Sequence, residues 1–281
     1  MAHEPLIRLT AFLGVFIAVA IWESLSPRRQ LNTSKASRWF SNISITLIGT
    51  GLVRSLFPTL AVTFAANETT LGLLHQTSLP FFVRVVIGIL ALDLIIYGQH
   101  VLFHSIPLLW RLHMMHHADL DIDVTTGLRF HPVEIILSMG IKLVAIFLVG
   151  PPVLAVILFE ILLNATSMFN HGNIRMPAAL DRMLRLFVVT PDMHRVHHSV
   201  VIIETKSNFG FSLPWWDRLF GTYRAQPAAG HKHMVLGLSQ FRDPQQLSLP
   251  WLLILPFTGK TGSYPMLLRR GREPVITRKD K

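Results

Sequence analysis

The chain contains no cysteine. Disulfides, cysteine-ligated iron–sulfur clusters, cysteine-type zinc sites and thiol nucleophiles are therefore excluded. Charge is scarce too. Asp, Glu, Lys and Arg make up 15% of the 281 residues, against roughly 25% in a soluble domain. Several signatures of known chemistry are missing. There is no Glu-x-x-His, which argues against a carboxylate di-iron bundle of the ferritin type, and no His-Glu-x-x-His zinc-protease helix. Neither Gly-x-Ser-x-Gly nor a phosphate-binding glycine loop occurs. No Ser/Gly-rich linker, long repeat or low-complexity tract divides the chain, so one compact unit is expected.

What the chain does have is apolar residues, 51% of the total, gathered into long runs. These are Pro5–Trp22, about Ile43–Phe64, Phe81–Phe103, Val133–Gly150 and Val153 to about Phe169. Each approaches the roughly 20 residues that cross a bilayer as a helix. Pro151-Pro152 separates the last two, which are short enough to form a shallow hairpin instead. Trp251–Phe257 is too short to cross and reads as interfacial. The expected fold is an all-α integral membrane protein with four to five membrane-embedded helices. Its parts are N-terminal transmembrane helices over 1–79, a catalytic region over 80–225, and an interfacial segment with a basic tail over 226–281.

Net charge is +10. The Lys and Arg residues sit beside apolar segments, which points to cytoplasmic retention and anionic lipid, with no nucleic-acid partner. Arg28, Arg29, Lys35 and Arg38 follow the first run instead of preceding it, the wrong order for a signal peptide. That run reads as a span with its N-terminus outside. The loop after it is basic and hence cytoplasmic, whereas Ala65–Pro80 has no Lys or Arg and lies outside. The third run then ends inside, and the fourth and fifth leave and return. The tail from Arg269 to Lys281 is expected to be mobile and without chemistry.

Ten of the fourteen histidines fall between His100 and His198. His100 and His104 are one helical turn apart. His113, His116 and His117 form a second group; His194, His197 and His198 repeat its spacing. His131 and His171 flank the fourth and fifth runs. The topology, obtained without them, brings all ten to one membrane face. On a helix His113 lies near both His116 and His117, while those two diverge by about 100°. Such a fork can serve two different ions. Ten imidazoles are too many for one ion; two ions with four or five each would use nearly all. Imidazole suits iron, zinc, copper and nickel, and spacing alone does not choose among them. Asp93 lies seven residues before His100 on nearly the same face and is expected to fix the tautomer of a ligand. His131 is expected to be a ligand or a partner behind one. His3, His75, His231 and His233 read as surface residues.

Asp93-x3-Tyr97-x2-His100-x3-His104, Trp110-x2-His113-x2-His116-His117 and Arg129-x-His131-Pro132-x-Glu134 are found in order along the chain. Asn170-His171-Gly172-Asn173 and Thr190-Pro191-Asp192-x-His194-x2-His197-His198-Ser199 follow, then Asn208-x-Gly210 and Trp216-Asp217-Arg218-Leu219-Phe220-Gly221-Thr222-Tyr223. Together, over about residues 80–225, they resemble the sterol desaturase / fatty acid hydroxylase superfamily, most closely its bacterial members. The resemblance implies a non-haem centre of two iron ions, with zinc able to occupy it in isolated protein. It implies O2 as co-substrate and attack on a lipid or sterol C–H bond, giving a hydroxyl group or a double bond. By motif position it makes His100, His104, His113, His116, His117, His171, His194, His197 and His198 ligands, with His131 a less certain one. The Trp216–Tyr223 segment matches but carries no ligand chemistry; it reads as structural, a lid or an interface anchor. No cytochrome b5-like domain is seen, so electrons are expected from a separate reductase, ferredoxin or cytochrome. The expected location is the bacterial inner membrane, with the site facing the cytoplasm.

Three rivals use the same residues. A metal transporter would place its ligands near the bilayer midplane on broken helices. A zinc-dependent metallohydrolase would work without O2 or reductant. A non-catalytic lipid-binding protein would have no need of every histidine group.

Overall fold

Apolar runs that cross a bilayer must satisfy their own backbone groups, and a helix does so within one segment. In the computed structural model, which describes residues 3–57, 61–67 and 72–259, helices occupy most of the described part of each run. The long elements are α1 (Glu4–Leu25), α2 (Lys35–Leu56), α3 (Ala61–Asn67), α4 (Phe81–Ser105), α5 (Pro107–His117), α6 (Pro132–Val149) and α7 (Val153–His171). Short helices follow: α8 (Ala178–Leu184), α9 (Pro191–His197), α10 (Ile202–Thr205), α11 (Trp215–Leu219), α12 (Gly230–His233) and α13 (Leu249–Ile254). Among the described residues there is no strand, only isolated bridges such as Pro27 with Ile174. Among the described residues, Glu4–Leu25, Phe81–Ser105, Pro132–Val149 and Val153–His171 are helices long and apolar enough to cross a membrane, and α2 with α3 makes a fifth such stretch. The chain is an all-helical integral membrane protein. The basic tail lies outside the described residues.

Local chemistry sets the breaks. Gly150 ends α6 at φ +63°, a left-handed cap that glycine adopts readily. Pro151 and Pro152 then block continuation, and α7 starts one residue later. Pro107 stands at the start of α5, just after Ile106 turns the chain off α4. The long helices pack in the order α1, α7, α4, α6, α2, and α3 lies on α6 and α7. Leu92, Ile96, Ala145, Ile146, Val156 and Phe159 form the apolar centre between α4, α6 and α7. α13 closes the base, burying Leu252 while Trp251 and Ile254 stay exposed.

The loop between α5 and α6 is held by a buried ion network. Arg38 of α2 grips Asp119 with two bonds of 2.8 Å and reaches Asp123 at 2.6 Å. Burial raises the Asp119 carboxyl, but Arg38 and Arg129 outweigh it and hold it down at about 2. Asp121 accepts from the backbone N–H groups of Asn32 and Thr33. The three acidic residues 119, 121 and 123 are thus committed to α2 and the loop before it.

Candidate metal centre

Four elements bring the histidines together. α4 supplies His100 and His104, α5 supplies His113, His116 and His117, α7 ends on His171, and α9 with its cap supplies His194, His197 and His198. Their ring nitrogens fall into two groups, each with all ligand atoms within 4.8 Å. One is His100, His104, His113, His117 and His197; the other is His116, His171, His194 and His198. All nine are buried. His116 and His117 part company, one to each group, as their angle on the helix requires. His197 likewise parts from His194 and His198.

Hydrogen bonds fix which nitrogen faces inward. His100 Nδ1 donates to the Phe209 carbonyl and His197 Nδ1 to the Ser207 carbonyl, both at 2.7 Å. His116 Nδ1 donates to the Arg129 carbonyl at 3.1 Å, and His171 Nδ1 to the Ser167 carbonyl at 2.7 Å. A carbonyl can only accept, so each Nδ1 carries the proton and each Nε2 of the neutral ring is a bare lone pair. Those lone pairs face one another. His100 and His197 Nε2 are 3.0 Å apart in the first group, and His116 and His171 Nε2 are 3.1 Å apart in the second. Two acceptors at hydrogen-bond distance with no proton between them repel unless a cation sits between them. His117 Nε2 is also buried without a hydrogen-bond partner.

The spacing fits a metal ion. Six Nε2 pairs within the groups lie 3.0 to 3.3 Å apart. With imidazole–metal bonds of about 2.0–2.1 Å, such pairs subtend roughly 90–110° at the ion. Burial and the neighbouring imidazoles push His116, His117, His194 and His198 well below the ordinary histidine range. Burial, then His113, brings His197 down to about 3. The rings are therefore neutral at physiological pH, the form that binds metal.

Three residues depart from their sequence-based roles. Asp93 does not fix a ligand: its carboxylate accepts from the Trp216 indole at 2.8 Å. Glu134 occupies the place expected of it, with Oε1 2.7 Å from His113 Nδ1. Its sequence signal is the same as that of Asp93, an acid inside an apolar run. His131 lies in neither group. It caps α6, Nδ1 accepting from Val133 N at 3.2 Å, and its Nε2 meets the Leu253 carbonyl at 3.3 Å. His231, expected at the surface, is buried beside Asp192.

Residues 207–223 brace the site. The Asp217 carboxylate accepts from the N–H groups of Phe209 and Gly210 at 2.8 and 2.9 Å, which holds the carbonyl that receives His100. Asn208 sits at φ +56°, and its side chain bonds the Met193 and Arg224 carbonyls. Two half-buried phenylalanines lie across the gap between the groups. Phe130 stacks on His116 at 4.6 Å and lies 6.3 Å from His113. Phe211 lies 5.0 Å from His100 and 6.4 Å from His194. The rings are 6.4 Å from each other.

Comparison with known proteins agrees with this geometry. The ornithine lipid hydroxylase OlsE of Rhizobium tropici is 27% identical over 224 residues, 77% of this chain and 66% of that protein. The alkylglycerol monooxygenase of Xenopus tropicalis is 29% identical over 139 residues, 48% of this chain and 29% of that protein. Methylsterol monooxygenase 2-2 of Arabidopsis thaliana is 28% identical over 131 residues, 46% of this chain and 48% of that protein. The chain thus spans less than two thirds of the length of each of these relatives. No solved structure matches. The family sequence model for fatty acid hydroxylase matches residues 85–222, from α4 through Thr222, a stretch that includes all nine clustered histidines. Over those residues the chain matches the fatty acid hydroxylase family.

Proposed function

We propose that the chain is a membrane-bound oxygenase that holds two iron ions and uses O2 and external electrons to hydroxylate a C–H bond of a membrane lipid. The observation that carries the reading is the pair of inward-facing lone-pair clusters, one of five imidazoles and one of four. The hydroxylase and monooxygenase relatives support oxidation over hydrolysis.

His100, His104, His113, His117 and His197 would hold one ion, and His116, His171, His194 and His198 the other. Bound iron supplies the O2 reduction and hydrogen abstraction that no side chain here can perform. The backbone carbonyls of Phe209, Arg129, Ser167 and Ser207 orient the rings and keep each Nε2 free. The Glu134 carboxylate, bonded to Nδ1 of His113, raises the basicity of that ligand. Burial of all nine rings excludes bulk water from the reacting bond. Phe130 and Phe211 offer an apolar wall against which an acyl chain can be held beside both ions. The site lies at the ends of α4 and α7 that the charge pattern assigns to the cytoplasm, within reach of a soluble or peripheral electron donor.

Comparative lipidomics of a deletion strain and its complemented parent tests this. The expected result is a lipid in the parent that carries one oxygen more than a species accumulating in the deletion. Identical lipid profiles under aerobic growth would contradict it.

A further inference from the structure

Residues 211–220 have no ligand chemistry, yet they climb along a membrane span. Phe211 lies beside His100, Trp216 reaches Asp93, and Phe220 stacks on Tyr97 at 5.4 Å. On α4, Tyr97 and Asp93 are 8 and 12 residues before the C-terminal Ser105. At 1.5 Å per residue that is about 12 and 18 Å along the helix. The chain then descends again, and Thr222 returns to Tyr97 and Asp217. Residues 211–220 are thus a loop that rises to the middle of α4 and comes back.

We propose that this loop is re-entrant, seated in the bilayer beside α4, with residues 183–187 forming the adjoining wall of the same membrane-facing collar. Two observations carry it besides depth. The first is the exposed surface. Trp215, Leu219 and Phe220 of the loop, with Met183, Leu186 and Phe187 beside them, are all exposed. Trp215 Nε1 donates to the Leu186 carbonyl, which joins the two segments into one patch. The one acid in either segment is Asp217, and it is fully buried. Arg182 and Arg218 are exposed in the same stretches, and the Arg218 guanidinium donates to the Arg185 carbonyl and lies over the Tyr223 ring.

The second observation is the backbone. Irregular backbone persists at membrane depth only where its polar groups find partners within the protein. Asn170 Nδ2 donates to the Phe211 carbonyl, and Val189 N to the Ser212 carbonyl. The Asp217 carbonyl accepts from the N–H groups of Thr222 and Tyr223. The occupant the patch fits is the acyl and headgroup boundary of the membrane. The inference holds whichever metal the histidines bind.

The absence of cysteine makes the test clean. Single variants Leu219→Cys, Phe187→Cys and, as an aqueous control, Lys232→Cys are labelled with a polarity-sensitive fluorophore. All three positions are exposed, so substitution leaves the packing intact. The full chain is placed in nanodiscs of phosphatidylcholine and phosphatidylglycerol. Quenching by nitroxide-bearing acyl chains is compared with quenching by aqueous iodide. The expected result is several-fold stronger quenching by the lipid nitroxide at 219 and 187, and the reverse at 232. Iodide quenching at 219 and 187 equal to that at 232 would overturn the proposal. So would shielding from both quenchers, which would mean that protein covers the patch.

Discussion

Glu134 Oε1 lies 2.7 Å from Nδ1 of His113, and both side chains are buried. The contact joins the first turn of α6 to the middle of α5 and ties a carboxylate to a ring of the five-histidine group. Glu134→Gln keeps the shape and removes the negative charge. A carboxylate behind a ligating histidine is typically worth 10–100-fold in metal affinity or activity. The expected outcome is a loss of that order in activity and earlier metal release to a chelator, with unchanged helical content by circular dichroism. Unaltered chelator resistance would contradict the role.

His116 and His117 are neighbours in sequence that serve different groups. His116→Ala and His117→Ala are each expected to lower bound iron from about two ions per chain to about one. Mössbauer spectra of the two variants should differ, because the surviving ion has five histidines in the first case and four in the second. Loss of both ions in both variants, or identical residual spectra, would contradict separate groups.

His131→Ala is expected to leave metal content unchanged, since the side chain belongs to neither group. It removes the cap on Val133 N and the contact to Leu253. Loss of a side-chain cap costs about 1 kcal/mol. A lower Tm at full iron stoichiometry is the expected readout; loss of iron would restore His131 as a ligand.

Acid should destabilise the metal-free protein. Histidine in an unfolded chain titrates near about 6.5. In the folded chain burial, then His113, brings His197 to about 3, and His116, His117, His194 and His198 move the same way. Below about pH 6.5 the unfolded state therefore binds more protons than the folded one. The stability these rings contribute is complete above that value and is lost as pH falls toward the folded values. The Tm of metal-free protein should fall steadily through this window. A flat Tm across it would contradict the neutral, buried cluster.

The part of the site that local geometry dictates was legible in the sequence. Helical spacing alone splits His116 from His117, and the structure puts them in different groups. Hydrophobic run lengths located the five long helices, because a bilayer-crossing segment leaves a continuous signal. What tertiary packing decides was not legible. Asp93 has the right spacing to support His100, but the Trp216 indole, 123 residues away in sequence, takes its carboxylate. Glu134 meets His113 only because α6 folds back against α5. His131 resembles a ligand in the motif but caps the helix that Pro132 begins. The three acids at 119, 121 and 123 have no periodic signal that would announce Arg38 of α2 as partner to two of them.

The most direct test of a two-iron lipid oxygenase uses protein in lipid nanodiscs, loaded with iron and supplied with a chemical or enzymatic reductant. Incubation with lipid extract under isotopically heavy O2, followed by mass spectrometry, should give a lipid carrying one heavy oxygen atom at an iron content of about two per chain. No labelled lipid at full iron loading, or label that enters from heavy water instead of O2, would contradict the assignment.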